Sequence, residues 1–282
     1  MGYVLASVVC SVLVSVLLKL AGRLRVDIGQ AVAWNYVVAV VLALAALRPS
    51  FAPLARPGVP WLAIVALGVL LPTIFLALGA SIRHAGIVRS DAAQRLSLLI
   101  SLVSAFLLFG QHFDALIGLG CVLGLAAMLG MVWRGGPQPA GAGGAAHWAY
   151  PLLVFVGFGV IDVAFKRIAA AGIPLGTALG VTFALGLVVA FALEFARRTH
   201  FTWRSAAGGV VLGLLNFGNI LFYLRAHRAL PHNPALVFAS MNLGVVALGA
   251  LTGLIVFRER LARINYAGLG LALVAVALLV HG

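Results

Sequence analysis

Charge is scarce in this chain, and acid scarcer still. Only 9% of its 282 residues are charged, and just six are Asp or Glu. A catalytic site needs acids, bases or metal ligands clustered on facing elements. Here no HExxH or GxSxG motif occurs, no apolar stretch holds two acids, and the histidines fall at the ends of such stretches. Cysteine is nearly absent as well. Cys10 and Cys121 both lie in apolar runs and make neither a disulfide framework nor a metal site. No catalytic residue, cofactor or metal is therefore expected, and the chain does not read as an enzyme.

Lysine is reduced to Lys19 and Lys166, against 17 arginines, and the formal net charge is +13. In a soluble protein that excess would point to nucleic acid. Most of these arginines instead border apolar stretches, where they meet lipid phosphates and set topology. Nucleic acid is not an expected partner.

What the chain has in abundance is apolar residue: 63% of the total, with a mean hydropathy of +1.15. Ten stretches stand out, at 3–20, 28–48, 60–82, 87–110, 113–133, 148–170, 174–196, 206–226, 234–257 and 264–281. A bilayer core takes about 20 apolar residues per helical span, and each span satisfies its own backbone. The expected fold is thus an all-α integral membrane protein of ten transmembrane helices, with the lipid bilayer as constant partner. Met1–Gly2 carries no basic region and the run from Tyr3 to Leu18 exceeds a signal core, so the first stretch is expected to be a span. Trp61, Trp133, Trp148 and Trp203 fall near span ends, as an interfacial aromatic belt places them.

The long break RGGPQPAGAGGAAH (134–147) reads as a flexible linker between five spans at 1–133 and five at 148–282. The halves resemble each other. FLLFGQHFDALIGLG (106–120) lies on LIVFRERLARINYAG (254–268) without a gap, pairing Phe109 with Phe257, Gln111 with Glu259 and Gly120 with Gly268. Lys19 falls opposite Lys166 and Arg83 opposite Arg228, at offsets of 148, 147 and 145 positions for the three matches. An odd number of spans per half makes the second enter from the opposite face. The expectation is two inverted five-helix repeats with a binding site near midplane between them. An even total puts both termini on one side. Loops 1–2, 3–4, 5–6, 7–8 and 9–10 hold eleven arginines and the others five, which by the positive-inside rule sets the termini outside.

VFRERLARINYAGLGLAL (256–273), FGQHFDALIGLGCVL (109–123), QRLSLLISLVSAFLLF (94–109) and MNLGVVALGALTGLIVF (241–257) resemble the drug/metabolite transporter (DMT) superfamily, in its EamA/rhamnose-transporter-like branch. The likeness covers the whole chain in architecture, through short and mostly apolar motifs. It implies a secondary carrier or exporter of small metabolites, working by alternating access in a bacterial-type inner membrane, with cytoplasmic termini. The side of the termini thus stays open between family and arginine count. Gln111 stands where the family commonly has a glutamate, so that carboxylate's role in the first half is lost.

An ionisable group within a span is a functional candidate by default. Lys19 and Lys166, one per half, either flank a central cavity and hold an anionic substrate or snorkel to the headgroups. Asp162, one turn before Lys166, either pairs with it or exchanges a proton during transport; Ser15 occupies its place in the first half. Arg95, with Gln94 and Ser97, offers a guanidinium to a carboxylate or phosphate, or pairs with Asp91. Trp34, Asn35 and Tyr36, Asn216 and Asn219 with Tyr223, and Ser240 with Asn242 supply amides, hydroxyls and aromatic surface for a polar solute, or bond between helices. Pro72 interrupts its span as a hinge or gate. Glu259 reads as a cap on span ends, and the glycines at 118, 120, 124, 268 and 270 as packing sites.

The expected function is secondary transport of a small anionic or zwitterionic metabolite. The alternatives are a proton-coupled exporter of amphipathic or cationic compounds using Asp162, and a flippase for a lipid-linked polar headgroup. A homodimer is an assembly the sequence allows.

Overall fold

Periodic apolar sequence with few breakers builds helix almost everywhere in the computed structural model, which describes residues 2–109, 115–132, 146–230, 234–259 and 261–281. Gln111, Trp133 and residues 134–145 of the expected linker lie outside these. In chain order the helices are α1 (Gly2–Leu20), α2 (Ile28–Leu47), α3 (Trp61–Ala85), α4 (Ile87–Leu96), α5 (Leu98–Phe109), α6 (Ala115–Val132), α7 (Ala146–Ala170), α8 (Leu175–Ala196), α9 (Trp203–Ala229), α10 (Pro234–Leu251) and α11 (Arg263–His281). No strand occurs among the described residues. Among the described residues six helices, α1, α2, α3, α7, α8 and α9, are long and apolar enough to cross a membrane. That is the pattern of a multi-pass membrane protein.

The local breaks have identifiable causes. Asp27 caps α2, its Oδ1 accepting from Gln30 N at 2.9 Å. Gly86, at φ +93°, turns the chain sharply from α3 into α4, a conformation that excludes most side chains. The expected unbroken span at 87–110 divides at Ser97, whose hydroxyl takes the Gln94 carbonyl at 2.6 Å. The ninth stretch ends in a π-helical turn, Thr252–Val256, where the Thr252 hydroxyl takes the Leu248 carbonyl at 2.7 Å. Hydroxyls that compete for helix carbonyls loosen the helical ladder at such points. Pro72 behaves differently from the expected interruption: α3 runs through it, and Thr73 Oγ1 donates back to the Val69 and Leu70 carbonyls.

The surface is apolar and the interior partly polar. Leu62, Leu129, Val188 and Ile255 are 65–85% exposed, whereas Ser7, Ser15, Asn35, Ser81, Ser90, Asp91, Thr182, Glu194 and Asn265 are buried. Lipid-facing helices invert the soluble pattern in this way, since hydroxyls and amides find partners only inward. Trp61, Trp148 and Trp203 are exposed at helix starts, where an interfacial belt has them.

By packing, the chain forms two compact units, each drawing on both sides of the linker. The first comprises residues 1–19, 77–159 and 218–282; the second comprises 20–76 and 160–217. In the first, α6 packs along α11 and α10 lies against both α4 and α11. Gly130 backs onto the Gly268 backbone, where a Cβ added at Gly130 would stand 3.3 Å from the Gly268 Cα. In the second, α2 packs along α8. There Asp27 N donates to Ser205 Oγ, Gln30 bridges the His200 carbonyl and the Thr202 amide, and Glu194 pairs with Arg197 at 2.8 Å.

Candidate functional site

One face of α1 carries Ser7, Ser11, Ser15 and Lys19, four positions apart each time. At 3.6 residues per turn that spacing aligns them in a near-vertical stripe. All three serines are buried, and each member of the stripe finds a partner from elsewhere in the first unit. Ser7 Oγ donates to Asn219 Oδ1 at 2.7 Å. Ser11 Oγ accepts from Arg95 Nη2 at 2.8 Å. Ser15 Oγ donates to Asp91 Oδ1 at 2.7 Å. Lys19 Nζ meets Glu259 Oε1 at 3.2 Å and the Ile82 carbonyl at 3.2 Å.

The two middle levels of the stripe bring Arg95 and Asp91 of α4 against α1. Arg95, half-buried on α4, spreads its guanidinium between Ser11 and Asn242 of α10, with Nη1 3.5 Å from Asn242 Oδ1. Asp91, one turn earlier on α4, is 2% exposed. Its Oδ1 is held by Ser15, and its Oδ2 has no hydrogen-bond partner among the described residues. Oδ2 lies against α10 at Gly249, where an added Cβ would stand 2.5 Å from it. Gly249 is thus the residue that lets a carboxyl approach the α10 backbone.

The lowest level is structural. Glu259 Oε1 accepts from Ile87 N at 2.8 Å and Oε2 from Val88 N at 3.3 Å, so one carboxylate caps the N-terminus of α4 and binds Lys19. A carboxylate at a helix N-terminus satisfies orphan amides and complements the dipole. The ammonium that the sequence offers to an anionic substrate is here taken by Glu259. Arg89, on the same helix, donates to Asn265 Oδ1 at 3.0 Å.

The remaining expected residues divide between the units. Asn219, Tyr223 and Asn242 join Lys19 and Arg95 in the first unit; Tyr223 meets His227 edge-on at 4.6 Å between ring centroids. Asn216 falls in the second, although it shares a face of α9 with Asn219: its Nδ2 donates to Asn35 Oδ1 at 3.2 Å. The fully buried Asn35 and its neighbour Trp34 each present a donor, Nδ2 and Nε1, with no acceptor among the described residues. Trp34 stands edge-on to Phe191 at 5.8 Å. Asp162 and the half-buried Lys166, one turn apart on α7 in the second unit, act on each other electrostatically. Pro72 is buried in the second unit. Sequence reasoning missed Ser7 and Ser11 as members of a stripe, and Asp91 as more than a partner for Arg95. The repeat Ser-x3-Ser-x3-Ser-x3-Lys was the available signal.

No family model matches the chain. A protein of Haemophilus influenzae, described as uncharacterized, is 39% identical over 280 residues, taking in 96% of this chain and 94% of that one. The chain belongs to that protein's family. Within the family the likeness is end to end rather than confined to one motif. Among solved structures, one titled only as the crystal structure of a protein aligns with a TM-score of 0.57 at 16% identity, over 97% of this chain and 95% of its own. At that identity the likeness is one of fold.

Proposed function

We infer that this protein is a secondary transporter of the bacterial inner membrane, related to the EamA-like branch of the DMT superfamily. It moves a small anionic or zwitterionic metabolite by alternating access between two inverted five-helix repeats. The observation that carries this reading is the Arg95 guanidinium, set well inside an apolar helical unit and presented by Ser11 and Asn242. A guanidinium there is costly to keep, and it recognises carboxylate or phosphate by parallel hydrogen bonds. Asn242, Asn219 and Ser7 add neutral polar groups on neighbouring turns of the same unit.

The repeat is supported by the helix bounds, which recur at offsets of 142 to 150 positions, bracketing the 145 to 148 read from the sequence. In that register α1 matches α7, α2 matches α8, α3 matches α9, α4 and α5 together match α10 with its π turn, and α6 matches α11. Two of the matched pairs, α2 with α8 and α6 with α11, also pack on each other. Elements related by a two-fold axis meet when they lie on that axis. Lys19 drops out of the binding set, since its charge is engaged by Glu259.

The test is ligand-dependent thermal stabilisation and liposome uptake with the full-length protein, using succinate, glutamate and glycerol 3-phosphate as probes. At least one anion is expected to stabilise the wild type and be taken up. Arg95→Ala is expected to lose both responses, and Lys19→Ala to keep them. Retention of anion binding in Arg95→Ala would remove the basis for the reading.

A further inference from the structure

A carboxyl group buried among apolar helices must have its oxygens satisfied or carry a proton, because an ionised oxygen without a donor has nothing to replace lost hydration. Asp91 has one oxygen served by Ser15 and the other, without a hydrogen-bond partner among the described residues, against the α10 backbone at Gly249. The charges acting on it are Arg95 from its own helix and Glu259 from the turn before α11; α1 faces it with Ser15 and α10 with backbone. Glu259 is itself held by Lys19 and the start of α4. Asp162, the acid that the sequence offers for proton exchange, is half-buried and has Lys166 one turn away.

The geometry points to Asp91 as a proton-binding site, protonated on Oδ2 and coupled to anion binding at Arg95. The coupling follows from charge balance within α4. With Asp91 ionised, it neutralises Arg95 one turn away. With a proton on Oδ2, Asp91 is neutral and no longer competes with a substrate anion for the positive field of Arg95. Either way the buried pair and its ligand sum to zero for a monoanion, which a low-dielectric interior favours over a net charge. The proton travels from water to Oδ2 as the anion arrives and returns to water as it leaves, so the two move together. By linkage, each raises the affinity for the other by the same factor. The proton site stands on the geometry of Asp91 alone; its coupling rests on the transporter reading above.

Infrared difference spectroscopy of the full-length protein in lipid reads the proton directly. The wild type is expected to show a buried protonated-carboxyl C=O band that disappears reversibly as pH rises. Asp91→Asn is expected to lose it and Asp162→Asn to keep it. Ser15→Ala, which leaves the acid in place, is expected to shift the band, and so serves if Asp91→Asn fails to fold. Absence of the band at every pH at which the protein stays folded, or its survival in Asp91→Asn, overturns the site. For coupling, affinity for the monoanionic form of whichever of succinate, glutamate and glycerol 3-phosphate binds, corrected for the probe's own titration, is expected to fall about tenfold per pH unit in the range where the band disappears. In Asp91→Asn it is expected to be independent of pH. Equal pH dependence in the two proteins overturns the coupling. If none of the three probes binds while the band behaves as stated, the transporter reading fails and the proton site stands.

Discussion

Gly249 and Glu259 show how much single residues carry in a structure whose surface is mostly alkane-facing. At Gly249 the cost of a methyl group is set by the Asp91 oxygen that it would meet at 2.5 Å. Gly249→Ala is expected to lower stability by about 1–3 kcal/mol, the ordinary penalty of overpacking, and to displace Asp91 from Ser15. Unfolding in mixed micelles measures the first, and the loss of any effect of Ser15→Ala in the Gly249→Ala background measures the second. Glu259 serves two partners at once, so Glu259→Ala removes a cap and leaves Lys19 unpaired, at a combined cost of about 2 kcal/mol. Lys19→Met leaves the cap intact and is expected to cost less. A double-mutant cycle between the two isolates their interaction, and strict additivity would count against the pair. Glu259 was legible in the sequence as a cap because it sits in a short turn between apolar stretches. Its partner was not, since nothing local ties Lys19 to a position 240 residues away.

Among the elements, the bounds of the long helices were readable from hydropathy, because lipid-facing segments admit few polar residues along their whole length. The break at Ser97 was not. Its neighbours are strongly apolar, and a serine within a span is ordinarily silent; at the division of α4 from α5 its hydroxyl donates to the Gln94 carbonyl, in competition with the helical ladder. Ser97→Ala is expected to restore the ladder there. Hydrogen exchange at Leu98, Leu99 and Ile100 should slow in the variant, and unchanged exchange would mean that packing sets the break. The polar stripe of α1 was written in the sequence at a period of four, yet serine's low cost in a membrane helix hides it beside the two lysines. Asn216 and Asn219 show the converse error. Their spacing places them on one face of α9, but a helix 27 residues long crosses from one packing unit to the other, and its face changes company between them.

For the whole molecule the decisive measurement is topology. Inversion of the halves requires the α1–α2 turn and the α7–α8 turn to lie on opposite sides of the membrane. Gly22, with open space around it, and the exposed Ala171 mark those turns. In a background without native cysteines, Gly22→Cys and Ala171→Cys are expected to react with a membrane-impermeant thiol reagent from opposite sides. Labelling of both from one side would end the inverted-repeat reading. The packing units could not be read from hydropathy, because each assembles segments from both halves of the chain. The α1 stripe also has a consequence for biogenesis. When α1 leaves the ribosome, its three hydroxyls and one ammonium face the bilayer with none of their final companions yet made. Asp91 and Arg95 arrive with α4, but Asn219 and Glu259 come only from the last quarter of the sequence. Helix α1 is therefore expected to be held by the insertion machinery, or to wait half-solvated at the lipid boundary, until α9 and the turn before α11 have been made. A message cut short before α10 is expected to yield a product that quality-control proteases remove, however many hydrophobic segments it already contains.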